Sequence, residues 1–310
     1  AYRGRGGVSR SVAVLLGGDS PERPISLKSG AAVAEALERA GHAVTRIDAG
    51  LDLARQLEAA APEAVWNALH GGAGEDGTVQ GCLGTLGLPY TGSGVLGSAL
   101  AMNKLRSKQL WRGCGEGGIP TADFVELDEV GVRAAGERLG WPVMVKPASG
   151  GSSIGMARAD GPEELAAARE TAAAYDQRVL AEAWLDGPEL TVGILDGEPL
   201  PVLRLEVERA FYDYTAKYEA GSGTQYLHPT GLGEAVESQC QELALAAFAA
   251  LECGGWGRVD LKLGPDGPAV IEVNTVPGMT PHSLVPKAAA HAGLGFDELV
   301  VRILGAALGD

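Results

Sequence analysis

The stretch RVDLKLGPDGPAVIEVNTVPGMTPHSL, residues 258–284, decides the fold of this 310-residue chain. Polar and apolar residues alternate over residues 258–263 and again over 269–274, which is the period of half-buried strands. Between them, Gly264-Pro265-Asp266-Gly267 has the composition of a turn. The sequence therefore predicts a β-hairpin that is followed by a loop.

One face of this hairpin would collect charged and amide side chains. Residues two apart in a strand share a face, which groups Arg258 with Asp260 and Glu272 with Asn274. Asp260 lies opposite Glu272 only if the connecting loop has an odd length, because a four-residue loop would place them on opposite faces. Converging oxygen ligands of this kind suit Mg²⁺. The alternative is a hairpin whose charges simply face water.

Length and composition limit the class of protein. A chain of 310 residues can form two or three domains, and 45% hydrophobic with 21% charged residues is ordinary for a globular protein. The net charge of −15 argues against a nucleic-acid partner, which would require a basic face. No run of 18 apolar residues occurs, so we expect no membrane span.

The first ten residues and the cysteines indicate the compartment. Residues 1–10 carry three arginines, and the apolar run that follows them, Val12 to Leu16, is too short for the hydrophobic region of a secretory signal, so we expect a disordered leader. The four cysteines are scattered and form no CxxC pair, which fits reduced thiols in the cytoplasm.

The N-terminal part predicts a parallel sheet. Apolar runs at residues 11–16, 43–47 and 64–68 read as strands that alternate with helices. Ligands gather at the carboxyl ends of such strands, where Glu22 and His70 follow the first and third runs. Either loop could also be a plain turn.

Two glycine-rich segments differ in what they indicate. Residues 92–97, GSGVLG, match GxGxxG but lack the preceding strand and the acidic residue of a dinucleotide-binding unit. Residues 149–155, SGGSSIG, directly follow a predicted strand that ends near Lys146. Glycines let backbone N–H groups approach phosphate oxygens closely, so this second loop predicts a phosphate site, although a simple hairpin uses the same residues.

Residues 206–228 lack sustained apolar periodicity and hold four tyrosines. A long loop within a compact domain is usually a functional lid, although a surface loop packed on its own tyrosines is the alternative. Helices are predicted on either side of the hairpin, over residues 232–251, 283–292 and 296–308.

These motifs resemble the ATP-grasp enzymes, and specifically the D-alanine–D-alanine ligases. The family pattern G-x-G-R-x-D occurs at residues 255–260, E-x-N-T-x-P-G-M-T at 272–280, and F-Y-D-Y-x-A-K-Y at 211–218. The resemblance implies an α/β fold of three domains, in which a Rossmann-like parallel-sheet domain precedes two α+β domains that sandwich ATP. The expected bounds are residues 11–95 for the N-terminal domain, 96–182 for the central domain, and 183–310 for the C-terminal domain with an ω-loop at 206–228.

The resemblance also implies roles for individual residues. Nucleotide binding is expected from Lys104, Lys146, Ser152, Ser153, Glu182, Trp184, Leu185, Glu189, Tyr212 and Lys217. Metal ligation is expected from Asp260, Glu272 and Asn274. Binding of D-alanine is expected from Glu22, His70, Lys217, Ser283 and Leu284, and catalysis from Glu22, Ser152, Tyr218, Arg258 and Gly278.

The implied reaction joins two D-alanines through a D-alanyl phosphate and a tetrahedral intermediate, for peptidoglycan precursor synthesis. ATP is the co-substrate, with two Mg²⁺ ions that Mn²⁺ can replace, in a cytoplasmic homodimer. A sister ligase that forms D-alanyl-D-lactate is the nearest alternative, and Tyr218 argues against it. A nucleotide-binding protein without turnover, or a nicotinamide oxidoreductase built on residues 92–97, are the alternatives from other classes.

Overall fold

The computed structural model of the chain describes residues 9–206 and 224–309. Most of the predicted leader and residues 207–223 of the predicted ω-loop lie outside these ranges. Among the described residues the strands form three sheets, one parallel and two antiparallel. The α/β class expected from the sequence is therefore confirmed.

The first sheet is parallel, as the alternation of strands and helices predicts. Its strand order is β2-β1-β3, so β1 is the central strand and is almost entirely buried. The elements of this part are β1 (Ser11–Leu16), α1 (Arg23–Arg39), β2 (Ala43–Asp48), α2 (Leu53–Ala60), β3 (Ala64–Asn67), α3 (Thr78–Thr85), α4 (Val95–Met102) and α5 (Lys104–Gly113). The GSGVLG segment opens α4, a helix that the sequence reading missed.

The second sheet has four antiparallel strands within the described residues, in the order β4-β7-β5-β6. Its helices lie against β5, β6 and β7 and bury a compact apolar cluster. The elements are β4 (Phe124–Glu126), α6 (Leu127–Val130), α7 (Val132–Leu139), β5 (Val143–Pro147), β6 (Ala157–Ala159), α8 (Pro162–Ala173) and β7 (Val179–Ala183).

The third sheet contains the hairpin. Its described strands follow the order β11-β10-β8-β12-β13, with β9 paired to β8. A long helix, α9, covers the β12–β13 side. The elements are β8 (Glu189–Leu195), β9 (Glu198–Pro199), β10 (Leu203–Glu206), β11 (Gln225–Leu227), α9 (Glu234–Ala250), β12 (Trp256–Gly264) and β13 (Gly267–Asn274).

The hairpin places Asp260 opposite Glu272, as expected, but with a turn length and a register shift that were not predicted. Gly264 pairs with Gly267, so the turn between the strands holds two residues and not an odd number. A regular ladder from this turn would place Ile271 opposite Asp260. The register shifts between Asp260 and Leu261, which is a β-bulge, and the shift restores the pairing of Asp260 with Glu272.

The last two helices return to the first sheet. They are α10 (Leu284–His291) and α11 (Phe296–Leu308), and α11 packs on α1 and β3. Apolar residues of α11, such as Leu299 and Ile303, share one core with Val12 and Trp66 of the parallel sheet. The N-terminal sheet therefore buries one face against the end of the chain, while the three domain boundaries stay predictions.

Within the described ranges, no helix is both long enough and apolar enough to cross a bilayer. The four cysteines lie inside these ranges and occur as free thiols.

Candidate active site

An open pocket with about 700 Å³ of empty space lies between the two antiparallel sheets. Strands β5 and β7 supply one wall, and β8, β12 and β13 supply the other. Most of the residues expected to bind the nucleotide line it, together with two of the expected metal ligands: Lys146, Ser153, Glu182, Trp184, Leu185, Glu189, Asp260 and Glu272. Apolar side chains, among them Met144, Met156 and Val270, also line it, which suits a flat aromatic ring.

The floor of this pocket holds a buried carboxylate between two lysines. Lys146 Nζ donates to Glu182 Oε2 at 2.7 Å, and Lys108 Nζ lies 3.3 Å from Glu182 Oε1. Burial alone would raise the pKa of Glu182, but the charges of Lys108 and Lys146 outweigh it, so that pKa lies below its usual value. Burial also lowers the pKa of Lys108 to about 8, against the opposing effect of Glu182. Glu182 is therefore held ionised within an apolar pocket.

On the hairpin face next to this floor, the carboxylate of Asp260 accepts several hydrogen bonds. Arg258 donates to both oxygens of Asp260, at 2.8 Å each. Thr191 Oγ1 donates to Oδ1 at 2.7 Å, and Asn274 Nδ2 donates to Oδ2 at 3.1 Å. Thr191 lies directly opposite Asp260 on β8, a contact that alternation along β8 could have suggested.

The same face carries the expected metal ligands. Asp260, Glu272 and Asn274 point to one side of the β12–β13 pair and offer oxygen donors. Asp260 contacts the guanidinium of Arg258, and Glu272 Oε2 lies 3.3 Å from the ammonium of Lys104, so each carboxylate has a cationic neighbour. Hard oxygen donors and two negative charges fit Mg²⁺.

A second, smaller pocket adjoins the first at Glu272. It is lined by Glu272, Asn274, Glu75, Lys104 and the glycine loop. Lys104 Nζ donates to the carbonyl of Gly150 in that loop at 2.5 Å. Burial raises the pKa of Glu75, the nearby negative charge of Glu22 raises it further, and His70 partly offsets both.

The glycine loop reaches across to the N-terminal domain. Ser152 donates a short hydrogen bond to Glu22 Oε1, and both side chains are buried. Ser152 and Ser153 have positive φ values of 53° and 57°, so the loop turns sharply here. At Gly151 a Cβ atom would lie 2.8 Å from Glu22 Oε2, which explains why a glycine is needed for this approach. Two of the expected catalytic residues thus meet across 130 residues of sequence.

His70 is bound on both sides within the protein. Its Nδ1 lies 2.9 Å from the carbonyl of Val276, so Nδ1 carries the hydrogen, and its Nε2 lies 2.9 Å from Ser29 Oγ. Ser29 Oγ in turn accepts the backbone N–H of Met279 at 3.0 Å. The histidine and Ser29 therefore clamp both ends of the turn 276–279, which contains Gly278. The expected contact of His70 with substrate stays a prediction.

Ser283 and Leu284 lie at the N-terminus of α10. Ser283 Oγ accepts the N–H of Thr280 at 3.0 Å, and a Cβ atom at Gly278 would lie 3.2 Å from that hydroxyl. Free N–H groups at a helix N-terminus favour anions. The position is therefore suited to a carboxylate beside the Gly278 turn.

Three expected residues, Tyr212, Lys217 and Tyr218, lie outside the described residues, and their roles stay predictions.

Two residues that contact the site were not predicted from the sequence. Lys108 follows Lys104 by one helical turn on α5, so it shares the face that meets the site. Ser29 lies on the buried stripe of α1 with Ser26 and Val33, where a polar residue needs a partner.

Comparison with known proteins identifies the family. Residues 114–305 match the model described as D-ala D-ala ligase C-terminus, and residues 47–93 match D-ala D-ala ligase N-terminus. The chain is 54% identical to the D-alanine–D-alanine ligase of Halorhodospira halophila over 303 residues, with 96% of each chain covered. It is 51% identical to that of Nitrosococcus oceani over 299 residues, covering 96% of this chain and 93% of the relative.

Solved structures agree over almost the whole length. A D-alanine–D-alanine ligase from Bacillus anthracis complexed with ATP superposes with a TM-score of 0.83 at 32% identity, covering 97% of this chain and 98% of that one. The VanG D-Ala:D-Ser ligase from Enterococcus faecalis gives 0.81 at 28% identity, with 96% and 99% covered. The motifs, the sandwich of two antiparallel sheets and these relatives agree, and the chain belongs to the D-alanine–D-alanine ligase family of ATP-grasp enzymes.

Proposed function

We propose that this protein uses ATP to join two D-alanine molecules into D-alanyl-D-alanine, a precursor for peptidoglycan. The observation that carries the proposal is the meeting of two pockets at Glu272. One is apolar with a buried carboxylate, and the other holds Lys104, Glu75 and the glycine loop. A base could occupy the first pocket while its phosphates point into the second, where an amino acid can reach them.

The first chemical task is to activate a carboxylate. A carboxylate oxygen of the first D-alanine attacks the γ-phosphorus of ATP, ADP leaves, and a D-alanyl phosphate forms. Phosphoryl transfer depends on positioning and on neutralisation of charge. Lys104, which contacts Gly150, and Lys146, which precedes the glycine loop, supply positive charge beside it, and the N–H groups of that loop can bind phosphate oxygens.

Asp260, Glu272 and Asn274 are the residues that would hold Mg²⁺, two ions by family resemblance, with Mn²⁺ as a substitute. When bound, Mg²⁺ neutralises phosphate charge and orients the γ-phosphate.

The second task is acyl transfer. The amine of the second D-alanine attacks the acyl carbon, a tetrahedral oxyanion forms, and phosphate leaves. Arg258 and the N–H of Gly278 would hold that oxyanion, while Glu22 holds the ammonium of the first D-alanine. Ser283 and the N–H of Leu284 would bind the second carboxylate, with Lys217. The loop that carries Ser152, together with Tyr212 and Tyr218, would exclude water from the acyl phosphate.

The test is phosphate release from ATP and Mg²⁺, measured with D-alanine, L-alanine, D-serine, D-lactate or no acceptor, with each product identified by mass. We expect release that depends on D-alanine and a dipeptide product. Release with a D-alanyl-D-serine or D-alanyl-D-lactate product would retain the site and change the acceptor. No release under any condition would contradict a ligase and favour a nucleotide-binding protein without turnover. The homodimer and the cytoplasmic location remain proposals that rest on family resemblance.

A further inference from the structure

The carboxylate of Asp176 lies at the point where the glycine loop, residues 149–155, leaves the second sheet. Asp176 belongs to the turn between α8 and β7. Its Oδ2 atom accepts the backbone N–H of Ser149 at 2.8 Å, and its Oδ1 atom accepts the backbone N–H of Arg178 at 3.0 Å. The contact with Ser149 spans 27 residues of sequence, so it ties the start of the loop to a turn that is remote in the chain.

These two hydrogen bonds lie at the end of the β5–β7 ladder. The N–H of Ala148, one residue past β5, still donates to the carbonyl of Arg178 at 2.8 Å. The carbonyl of Ala148 accepts the N–H of Lys104 at 2.7 Å, and Asp176 then accepts one N–H from the β5 side and one from the β7 side. Backbone N–H groups need such partners where a ladder stops. One carboxylate therefore determines where the chain departs from the sheet and enters the loop.

The residue before it, Tyr175, lies against the other end of the loop. A Cβ atom at Gly155 would lie 2.6 Å from Cδ2 of Tyr175 and 3.1 Å from Cγ of Pro147, the last residue of β5. Gly155 also has a φ of 73°, a conformation that glycine adopts readily. The first and last residues of the loop are therefore both in contact with the turn 175–176.

The middle of the loop bonds to more distant parts of the chain. Ser152 donates to Glu22, and the carbonyl of Gly150 accepts the Nζ of Lys104. Because the ends of the loop rest on the turn 175–176, the position of that turn determines how far Ser152 and the loop N–H groups reach into the site. An aspartate that only stabilised its own turn would need the contact two residues ahead and not the contact with the loop.

We propose that Asp176 is a positioning residue that fixes the start of the glycine loop, so that the loop presents its N–H groups to phosphate oxygens and Ser152 to Glu22. The inference rests on the proposed function in one respect, namely that the loop binds the phosphates of ATP. Removing the carboxylate removes a charge-assisted hydrogen bond to Ser149, and the loop then occupies its binding position for a smaller fraction of the time. The apparent Kd for the nucleotide rises by the same factor.

The experiment measures hydrogen exchange of the full-length protein by mass spectrometry, and the Kd for the β,γ-imido analogue of ATP with Mg²⁺ by calorimetry. Asp176→Ala removes both acceptor atoms, and Asp176→Asn keeps one. Asp128→Ala is the matched control, because Asp128 forms a partly exposed ion pair with Arg169 of α8, the helix that leads into the turn.

We expect Asp176→Ala to raise the exchange of the peptide that spans residues 146–156 and to raise the Kd for the analogue by about tenfold. Asp176→Asn should fall between Asp176→Ala and the wild type, since one of its two side-chain atoms can still accept. Exchange in α8 and β7 should stay at the wild-type rate in both variants. Asp128→Ala should match the wild type in loop exchange and in affinity.

Loop exchange or analogue affinity of Asp176→Ala equal to that of the wild type would overturn the inference. Faster exchange throughout α8 and β7 would also overturn it, because Asp176 would then support the whole sheet and not the loop. If Asp176→Ala does not fold, Asp176→Asn decides, and wild-type exchange and affinity in that variant count against the inference. The expected changes in a protein that forms no dipeptide would contradict the proposed function alone, because neither readout depends on turnover.

Discussion

Replacing Ser29 by alanine should impair turnover beyond its effect on stability. Ser29 Oγ accepts the N–H of Met279 and bonds to Nε2 of His70, whose Nδ1 donates to the carbonyl of Val276. Removing this one oxygen releases the Met279 end of the turn 276–279. The N–H of Gly278, the expected oxyanion donor, lies inside that turn.

The hydrogen bonds set the expected magnitudes. Two buried polar groups, Met279 N–H and His70 Nε2, lose their partner, and each costs about 1–2 kcal/mol, so the free energy of unfolding should fall by about 2–4 kcal/mol. Complete loss of one oxyanion donor costs about a hundredfold or more in kcat. Because His70 still holds Val276, we expect a smaller loss of about tenfold to a hundredfold.

Ser26→Ala is the matched control. Ser26 is also fully buried on α1, one turn earlier, and its hydroxyl donates only to the carbonyl of Ala68 at 2.8 Å. It should cost about 1 kcal/mol of stability and leave kcat near the wild-type value. Urea unfolding gives the stabilities, and kcat is measured with saturating ATP and D-alanine far below the unfolding transition. Equal kcat in Ser29→Ala and Ser26→Ala would refute the idea that the clamp positions Gly278.

Three further changes test other parts of the site. Glu272→Gln should lower turnover by about a hundredfold, because it removes a charge expected to hold Mg²⁺, while urea unfolding shifts by less than about 1 kcal/mol. Gly151→Ala should lower kcat by about a hundredfold, because its Cβ would lie 2.8 Å from Glu22 Oε2 and displace the loop. The third change is in pH. The pKa of Lys108 is about 8 in the folded protein and near 10.5 when unfolded, so between these values the unfolded chain holds a proton that the folded one lacks. The free energy of unfolding of the wild type, relative to that of Lys108→Met, should therefore rise by about 1.4 kcal/mol per pH unit above pH 8.

Each of these three predictions has an outcome that would contradict it. Near-normal turnover of Glu272→Gln at limiting Mg²⁺ would remove that residue from the metal site. Gly161→Ala, where no atom lies within 4 Å of the added Cβ, controls for the loop substitution, and equal losses in both variants would mean that contact with Glu22 is irrelevant. A difference in stability that stays flat from pH 8 to pH 10 would show that Lys108 keeps its ordinary pKa.

The sequence predicted the elements of the site well because its signals are local. Strand alternation predicted the hairpin, and the glycine-rich loop after Lys146 lies beside both pockets, where its binding of phosphate stays a prediction. The predicted pairing of Asp260 with Glu272 required a connecting loop of odd length, whereas the structure has a two-residue turn and a β-bulge. A bulge depends on how the backbone fits neighbouring strands, so no motif of residue types predicts it.

The missed residues depend on tertiary contacts. Lys108 resembles an ordinary surface lysine until α5 is packed against β7 and β13, and Ser29 resembles a tolerated helix serine until the turn 276–279 arrives from the far end of the chain. The packing of α11 on the first sheet is equally non-local. Family resemblance assigns roles to residues that face ligands. It is less informative about the residues that keep those ligand-facing residues in position.

Because of the bulge in the hairpin, the side on which Glu272 and Asn274 project depends on the number of residues in β13. Ile271 is the extra residue on β13, so deleting it would leave a regular ladder in which Glu272 still opposes Asp260. Deleting Val273 instead would invert the side on which Asn274 projects. An insertion or deletion of one residue in this part of β13 therefore moves the following side chains to the other face of the sheet, unless the bulge absorbs it. Homologous hairpins can differ in length at the tip and keep the same site, provided that a compensating residue is gained or lost between the tip and Glu272.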